Sequence, residues 1–170
     1  MKMSQRFIIT SQAICFCTIS IYFLAVFNQK ADFTGIWLIS EQKCEFGGQP
    51  AATMFKGIKV VQSKDSLSVF GMRFNDTAIS TKATSYPLNG NTVKTVLSNN
   101  RTMTASLNWS ADGKTLTRNS SYSPPNDPET EDYKSQEAWS LSDDKKTLTL
   151  TRTFSTASGN VTVKAVYEKQ

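Results

Sequence analysis

The chain has 170 residues, 39% of them hydrophobic and 19% charged, with a formal net charge of +5. That is enough apolar material for one domain with a core. Histidine is absent and there are only 3 cysteines, which excludes Ser-His-Asp and Cys-His catalytic pairs, His-ligated metals and a disulfide framework.

Residues 7–27 read FIITSQAICFCTISIYFLAVF, without a charge, and Lys2 and Arg6 stand in front. A helix needs roughly 20 apolar residues to cross a bilayer. The basic flank orients such a segment with its N-terminus in the cytoplasm, so the rest of the chain is expected to be extracytoplasmic. Residues 1–30 are read as a signal peptide or a signal-anchor helix, and residues 31–170 as the exported domain. Both fates stay open: Ala25-Val26-Phe27 lacks a small-x-small cleavage pattern, and the run exceeds the roughly 7–15 residues of a signal core. Ile14 and Phe16 precede Cys15 and Cys17, so these cysteines read as ordinary apolar membrane residues and not as lipid acceptors. Once Lys2 and Arg6 are set aside, the positive surplus is small and has no run of like charge. No nucleic-acid partner is expected.

From Ala31 the texture changes to Ser/Thr-rich alternation broken by turn residues, the pattern of an all-β domain. Strands are expected over 33–40, 57–62, 66–74, 78–86, 92–98, 102–109, 114–123, 133–141, 146–155 and 161–168. Asn89-Gly90 and Asp112-Gly113 suit tight reversals because both residue types tolerate positive φ. Ser123-Pro124-Pro125-Asn126-Asp127-Pro128 cannot pair inside a sheet and reads as an exposed loop. Connections this short make successive strands antiparallel neighbours. About 8–10 of them form an up-and-down meander that should close into a barrel, or else fold over as a sandwich. Residues 109–118 are echoed by 139–152, with Lys-Thr-Leu-Thr in both, which reads as two similar hairpins.

Alternate strand residues share a face. Leu148, Leu150, Arg152 and Phe154 oppose four threonines; Met103, Ala105, Leu107 and Trp109 oppose Thr102, Thr104, Ser106 and Asn108; Val161, Val163, Ala165 and Tyr167 oppose Thr162, Lys164 and Glu168, with Val166 as the exception. One face is therefore buried and one wet. Arg118, Glu137 and Arg152 fall on the buried faces. An unpaired interior charge is costly, so they should pair with one another or meet a wet lumen. Trp37, Met103, Leu107, Trp109, Trp139, Leu150, Phe154 and Tyr167 are the expected lumen lining, with Arg118, Glu137 and Arg152 as polar handles.

Asp32-Phe33-Thr34-Gly35-Ile36-Trp37 opens the domain directly after the apolar run. Gly-x-Trp at the first strand, followed by a meander, resembles the lipocalin and wider calycin group. The resemblance implies a lipocalin-like β-barrel whose Gly35 lets the chain bend beneath the floor and whose Trp37 closes the base. It also implies an Arg from a late strand, here Arg152, packed across that Trp. Lys43-Cys44-Glu45-Phe46-Gly47-Gly48-Gln49-Pro50 looks like bacterial lipocalin-like domains of unknown function. The chain departs from the lipocalin pattern in having no helix after the last expected strand and no disulfide in the exported part.

No phosphate loop, paired-cysteine metal spacing or Gly-x-Ser-x-Gly elbow occurs. Glu129, Glu131 and Asp132 read as a solvated loop and not as a cation site. Cys44 reads as a spectator thiol or an intermolecular crosslink. Five Asn-x-Ser/Thr matches are the chance yield of a chain rich in these residues. The expectation is a non-enzymatic extracytoplasmic protein, without cofactor or metal, that binds a small apolar ligand in its lumen and meets the membrane through its N-terminal helix if that is uncleaved. The alternative is a structural or interaction β-module with a filled core and no ligand.

Overall fold

The structure is a computed structural model that describes residues 29–97, 99–156 and 159–170. The expected signal or anchor segment, 1–28, lies outside the described residues. No helix among the described residues is long and apolar enough to cross a membrane.

Ten strands follow in chain order: β1 (Gly35–Ile39), β2 (Gly57–Gln62), β3 (Ser66–Met72), β4 (Thr84–Pro87), β5 (Val93–Val96), β6 (Thr102–Trp109), β7 (Thr115–Ser123), β8 (Tyr133–Leu141), β9 (Thr147–Thr156) and β10 (Gly159–Lys169). They form one antiparallel sheet in the order β4-β3-β2-β1-β10-β9-β8-β7-β6-β5. β1 pairs with β10, so the two ends of the meander meet, and the sheet curls into a nearly closed barrel. Only the β4–β5 seam lacks a ladder; there β4 approaches β5 and β6 without pairing. Closure of this kind hides strand edges that would otherwise template aggregation.

The strands form where alternating side chains can share one interior. Trp37, Ile58, Val60, Leu67, Leu107, Leu116, Leu148, Val163, Ala165 and Tyr167 are all buried and belong to one contiguous core. Val166, the exception to alternation, points outward but is still buried, because residues 40–46 run on beside β10. The Ser40 amide donates to the Val166 carbonyl, and the Val166 amide donates to Cys44 Sγ.

The two echoed hairpins share one turn chemistry. Ser110 Oγ donates to Asp112 Oδ1 (2.6 Å), which also accepts from the Lys114 amide; Ser142 Oγ and the Lys146 amide repeat this on Asp144. Each turn needs one residue at positive φ, Gly113 (68°) in the first and Lys145 (57°) in the second.

Several strands are shorter than the spacing predicts: the first spans Gly35–Ile39 and not 33–40, and the fifth Val93–Val96 and not 92–98. A strand was expected from residue 78, but β4 starts at Thr84. Asp76 Oδ2 accepts from the Arg73 amide and Ser80 Oγ from the Lys82 amide, and these local bonds hold the backbone out of a ladder. The third strand likewise ends at Met72 and not at residue 74.

Candidate functional site

The chain enters beneath the barrel. Ala31 donates its amide to the Gly113 carbonyl, and Gln62 clamps the segment by accepting from the Phe33 amide and donating to the Ala31 carbonyl. Phe33 is fully buried between Trp109 and Trp139, with ring centroids 5.9 and 5.8 Å away. Trp37 Nε1 donates to the Phe33 carbonyl at 3.0 Å. Gly35 takes φ 155°, a conformation L side chains rarely adopt, and a Cβ there would also stand 3.3 Å from Trp37 Nε1, so the bend favours glycine. The closed floor built on Gly35 and Trp37 is therefore present. The expected Arg152–Trp37 packing is not: Lys169, from the end of β10, lies over the Trp37 ring at 5.3 Å. Arg152 stands too far up β9 to reach the floor, because its cross-strand partners are Glu137 and Val163 while Trp37 pairs with Lys169.

Above the floor the inward side chains of β6–β10 form successive cross-strand rungs. The lowest to span all five strands runs Trp109, Leu116, Trp139, Leu150, Ala165. The next runs Leu107, Arg118, Glu137, Arg152, Val163, so the register puts the three interior charges side by side. Arg118 Nη2 lies 3.1 Å from Glu137 Oε1, and Arg152 Nε lies 4.0 Å from Glu137 Oε2; the three side chains are 13%, 19% and 6% exposed for Arg118, Arg152 and Glu137. Glu137 Oε1 also accepts from Trp139 Nε1 at 2.8 Å. Arg118 donates to the Tyr86 hydroxyl and Arg152 to the Tyr122 hydroxyl.

This rung carries two guanidinium groups and one carboxylate, a buried surplus of one positive charge. Burial opposes the Arg118 charge, but Glu137 and the two tyrosines outweigh it and push its pKa above the ordinary guanidinium value. Burial raises the Tyr86 and Tyr167 hydroxyls, so both stay neutral, Tyr86 accepting from Arg118 and Tyr167 donating to the Phe55 carbonyl.

The third rung is Ala105, Ser120, Ser135, Phe154, Val161, and above it stand Met103, Tyr122 and Tyr133. Ser120 and Ser135 face each other, 5% and 6% exposed. Among the described residues their hydroxyls find no hydrogen-bond partner, and neither do Arg118 Nε, Arg152 Nε and, in the rung with Leu116, Trp109 Nε1. Four of these unsatisfied buried polar atoms thus line two adjacent rungs, where native interiors hold few.

Residues 40–56 arch from β1 to β2 over the other end of the barrel. Gly47 and Gly48, at φ 56° and 79°, turn the segment back, and Ala51–Thr53 form a 3₁₀ turn. The Thr53 carbonyl accepts from Arg152 Nη1 (3.0 Å), Met54 is buried in the core, and the Phe55 carbonyl accepts from the Tyr167 hydroxyl (2.9 Å). The strap thus meets the charged rung with a backbone oxygen.

Every expected lining residue is in or beside this interior. Trp37, Met103, Leu107, Trp139, Leu150 and Tyr167 are buried, while Trp109 and Phe154 pack against the core part-exposed. Sequence reasoning missed Ser120, Ser135, Tyr86 and Thr53. Alternation alone places the two serines inside; nothing local marks Tyr86 or the Thr53 carbonyl, which come from elsewhere in the chain. Glu129, Glu131 and Asp132 each face a separate cation, Lys94, Lys134 and Arg101. No cluster of three or more potential metal ligands occurs among the described residues. Cys44 is part-buried, its thiol pushed up by burial. Two depressions lie outside the lumen: a shallow one of about 500 Å³ over the outer face of β6–β9, and one of about 850 Å³ under the floor beside Lys30, Ser63 and Leu88.

No protein-family model matches the chain, and no curated protein sequence does. Among solved structures the barrel is similar to zebrafish ileal bile acid-binding protein complexed with cholic acid, at 18% identity and TM-score 0.55, covering 81% of this chain and 98% of that one. It is also similar to secretory abundant heat soluble protein 4 from Ramazzottius varieornatus, at 14% identity and TM-score 0.51, covering 84% and 98%. These likenesses show a calycin-like barrel fold.

Proposed function

We propose that this protein is a non-enzymatic carrier of a small amphipathic molecule, apolar in its body and anionic at one end, held in the barrel lumen. The observation that carries the reading is the charged rung. Two arginines share one carboxylate among largely buried side chains, and a surplus buried charge is expensive unless something neutralises it. A carboxylate or sulfonate would supply the missing charge, accepting from Arg118 Nε and Arg152 Nε. The Ser120 and Ser135 hydroxyls would gain partners in the same step, and Met103, Tyr133 and Phe154 offer apolar and aromatic surface to the body of the ligand. The Thr53 carbonyl already accepts from Arg152 and stands where a ligand oxygen would go, so entry requires the strap to lift. The zebrafish relative in fold is a bile acid-binding protein crystallised with cholic acid, itself an amphipathic anion, which makes cholate a sensible first probe. An extracytoplasmic location is part of the reading, supported by the uncharged run at 7–27 behind Lys2 and Arg6.

Calorimetric titration with decanoate, cholate and the uncharged analogue decanol tests it. Saturable binding of an anion at least about tenfold tighter than decanol, a difference of about 1.4 kcal/mol, is expected, with the preference lost in Arg118→Met/Arg152→Met. No binding by any probe would sink the proposal. That result would favour a structural module with a filled core, a reading supported by the complete burial of Trp37, Leu116, Val163, Ala165 and Tyr167.

A further inference from the structure

The two halves of the outer surface differ in chemistry. Over β6–β9 the outward residues are Thr, Ser, Asn and Gln with few exceptions, as in the row Ser106, Asn119, Gln136, Thr153. Over β1–β3 the outward residues include Ile36, Leu38, Val61, Phe70 and Met72. Leu38 and Met72 converge above Gly57, where a Cβ would stand 2.9 Å from one and 2.8 Å from the other. Ile36 and Val61 are 41% and 44% exposed. Lys59 sits between Ile36 and Phe70 with its ammonium 5.5 Å from the Phe70 ring centroid.

Charge sharpens the contrast. Between Met54 and Pro87 the basic residues are Lys56, Lys59, Lys64, Arg73 and Lys82, all exposed, against only Asp65 and Asp76. Among the described residues none of the five basic groups is in a salt bridge, whereas Lys43, Lys94, Arg101, Lys134 and Lys164 elsewhere each face a carboxylate, although Lys30, Lys114, Lys145, Lys146 and Lys169 do not. Apolar side chains in the middle of a face with unpaired cations around them suit the interface of an anionic bilayer. There the apolar groups enter the headgroup boundary while lysine stems reach back to phosphate.

The course of the chain agrees. Gln29 and Lys30 share one depression with Ser63, Lys64 and Asp65, at the β2–β3 turn that ends this face, and with Leu88, Asn89 and Trp109 under the floor. The uncharged run 7–27 stops just before Gln29. Lipid contact by that run therefore brings the β2–β3 turn, and the face above it, to the membrane surface. We infer that the outer face of β1–β3 docks on an anionic lipid bilayer. The inference does not depend on a lumen ligand.

The test uses the full chain in nanodiscs of phosphatidylcholine with or without phosphatidylserine, containing a gadolinium-chelating lipid. The Ile, Leu and Val methyl signals are read by NMR, with Val96, the exposed methyl of β5, as the control. With phosphatidylserine, Ile36, Leu38 and Val61 should broaden well beyond Val96. Ile36→Asp/Val61→Asp should abolish the broadening at the remaining probe, Leu38, while the rest of the spectrum stays folded, and Lys59→Gln/Lys64→Gln should remove the dependence on phosphatidylserine. The inference is overturned if Ile36 and Val61 broaden no more than Val96, as for a barrel merely tethered, or if the two lipid compositions give equal broadening. Broadening that persists in the double aspartate variant, or loss of the Ile36 and Val61 signals without gadolinium, as in self-association, overturns it as well.

Discussion

Two neighbouring layers of one barrel solve burial in opposite ways. The floor packs Phe33 between Trp109 and Trp139 and satisfies Trp37 with a backbone carbonyl. One rung higher, Arg118, Glu137 and Arg152 bury charge with an odd count. The floor is a packing solution, its stability set by contact and by area removed from water. The charged rung is a poor way to gain stability, since well-packed apolar residues of similar volume would do as well or better. The contrast teaches that the floor holds the barrel together by packing, while three charges sit one layer above it at little gain in stability.

The largest expected effect separates the two directly. Glu137→Ala should cost about 3–5 kcal/mol by stranding two guanidinium groups, and Phe33→Ala about 3–5 kcal/mol by opening a cavity, both read from urea unfolding. Decanoate should then raise the thermal midpoint of Glu137→Ala more than that of the parent. In Phe33→Ala it should do no better than in the parent. Equal responses would erase the distinction.

A replacement tests the same point from the other side. Arg118→Met/Glu137→Leu/Arg152→Met should be neutral or more stable by about 1–4 kcal/mol, while the preference for an anion over decanol disappears. A large loss of stability would mean that the rung is structural after all.

Smaller effects belong to the twin turns. Lys145→Gly should gain about 0.5–1 kcal/mol, because lysine pays a steric cost at positive φ that glycine does not. Gly113→Ala should lose a similar amount, and chemical denaturation of the two variants checks the pair. The turns also predict an acid response. Hydrogen bonds from Ser110 and the Lys114 amide hold the Asp112 carboxyl below its ordinary range, and Ser142 and the Lys146 amide do the same for Asp144. A carboxyl with a lowered folded-state pKa stabilises above its unfolded value, about 3.9, and that stability goes as the pH falls through the folded value. Asp112→Asn/Asp144→Asn should therefore flatten the drop in thermal midpoint below about pH 4.

Much of this was legible before any coordinates. Alternation in β9 and β10 assigned Leu148, Leu150, Phe154, Val163 and Tyr167 to the interior, since a period of two leaves no other arrangement once one face is apolar. The same parity placed Arg118, Glu137 and Arg152 inside. It failed where local side-chain bonds outbid the ladder, at residues 78–83, and at Val166, which a distant segment covers.

The sequence by itself determined a one-sided antiparallel meander, its ten strands and the inward direction of three charges, because these follow from spacing along the chain. Only the tertiary structure decided that those charges share one rung, that Lys169 and not Arg152 covers Trp37, and that a carbonyl at Thr53 reaches Arg152. Register and long-range closure set these, and both depend on every strand pairing at once, which no local window of sequence contains.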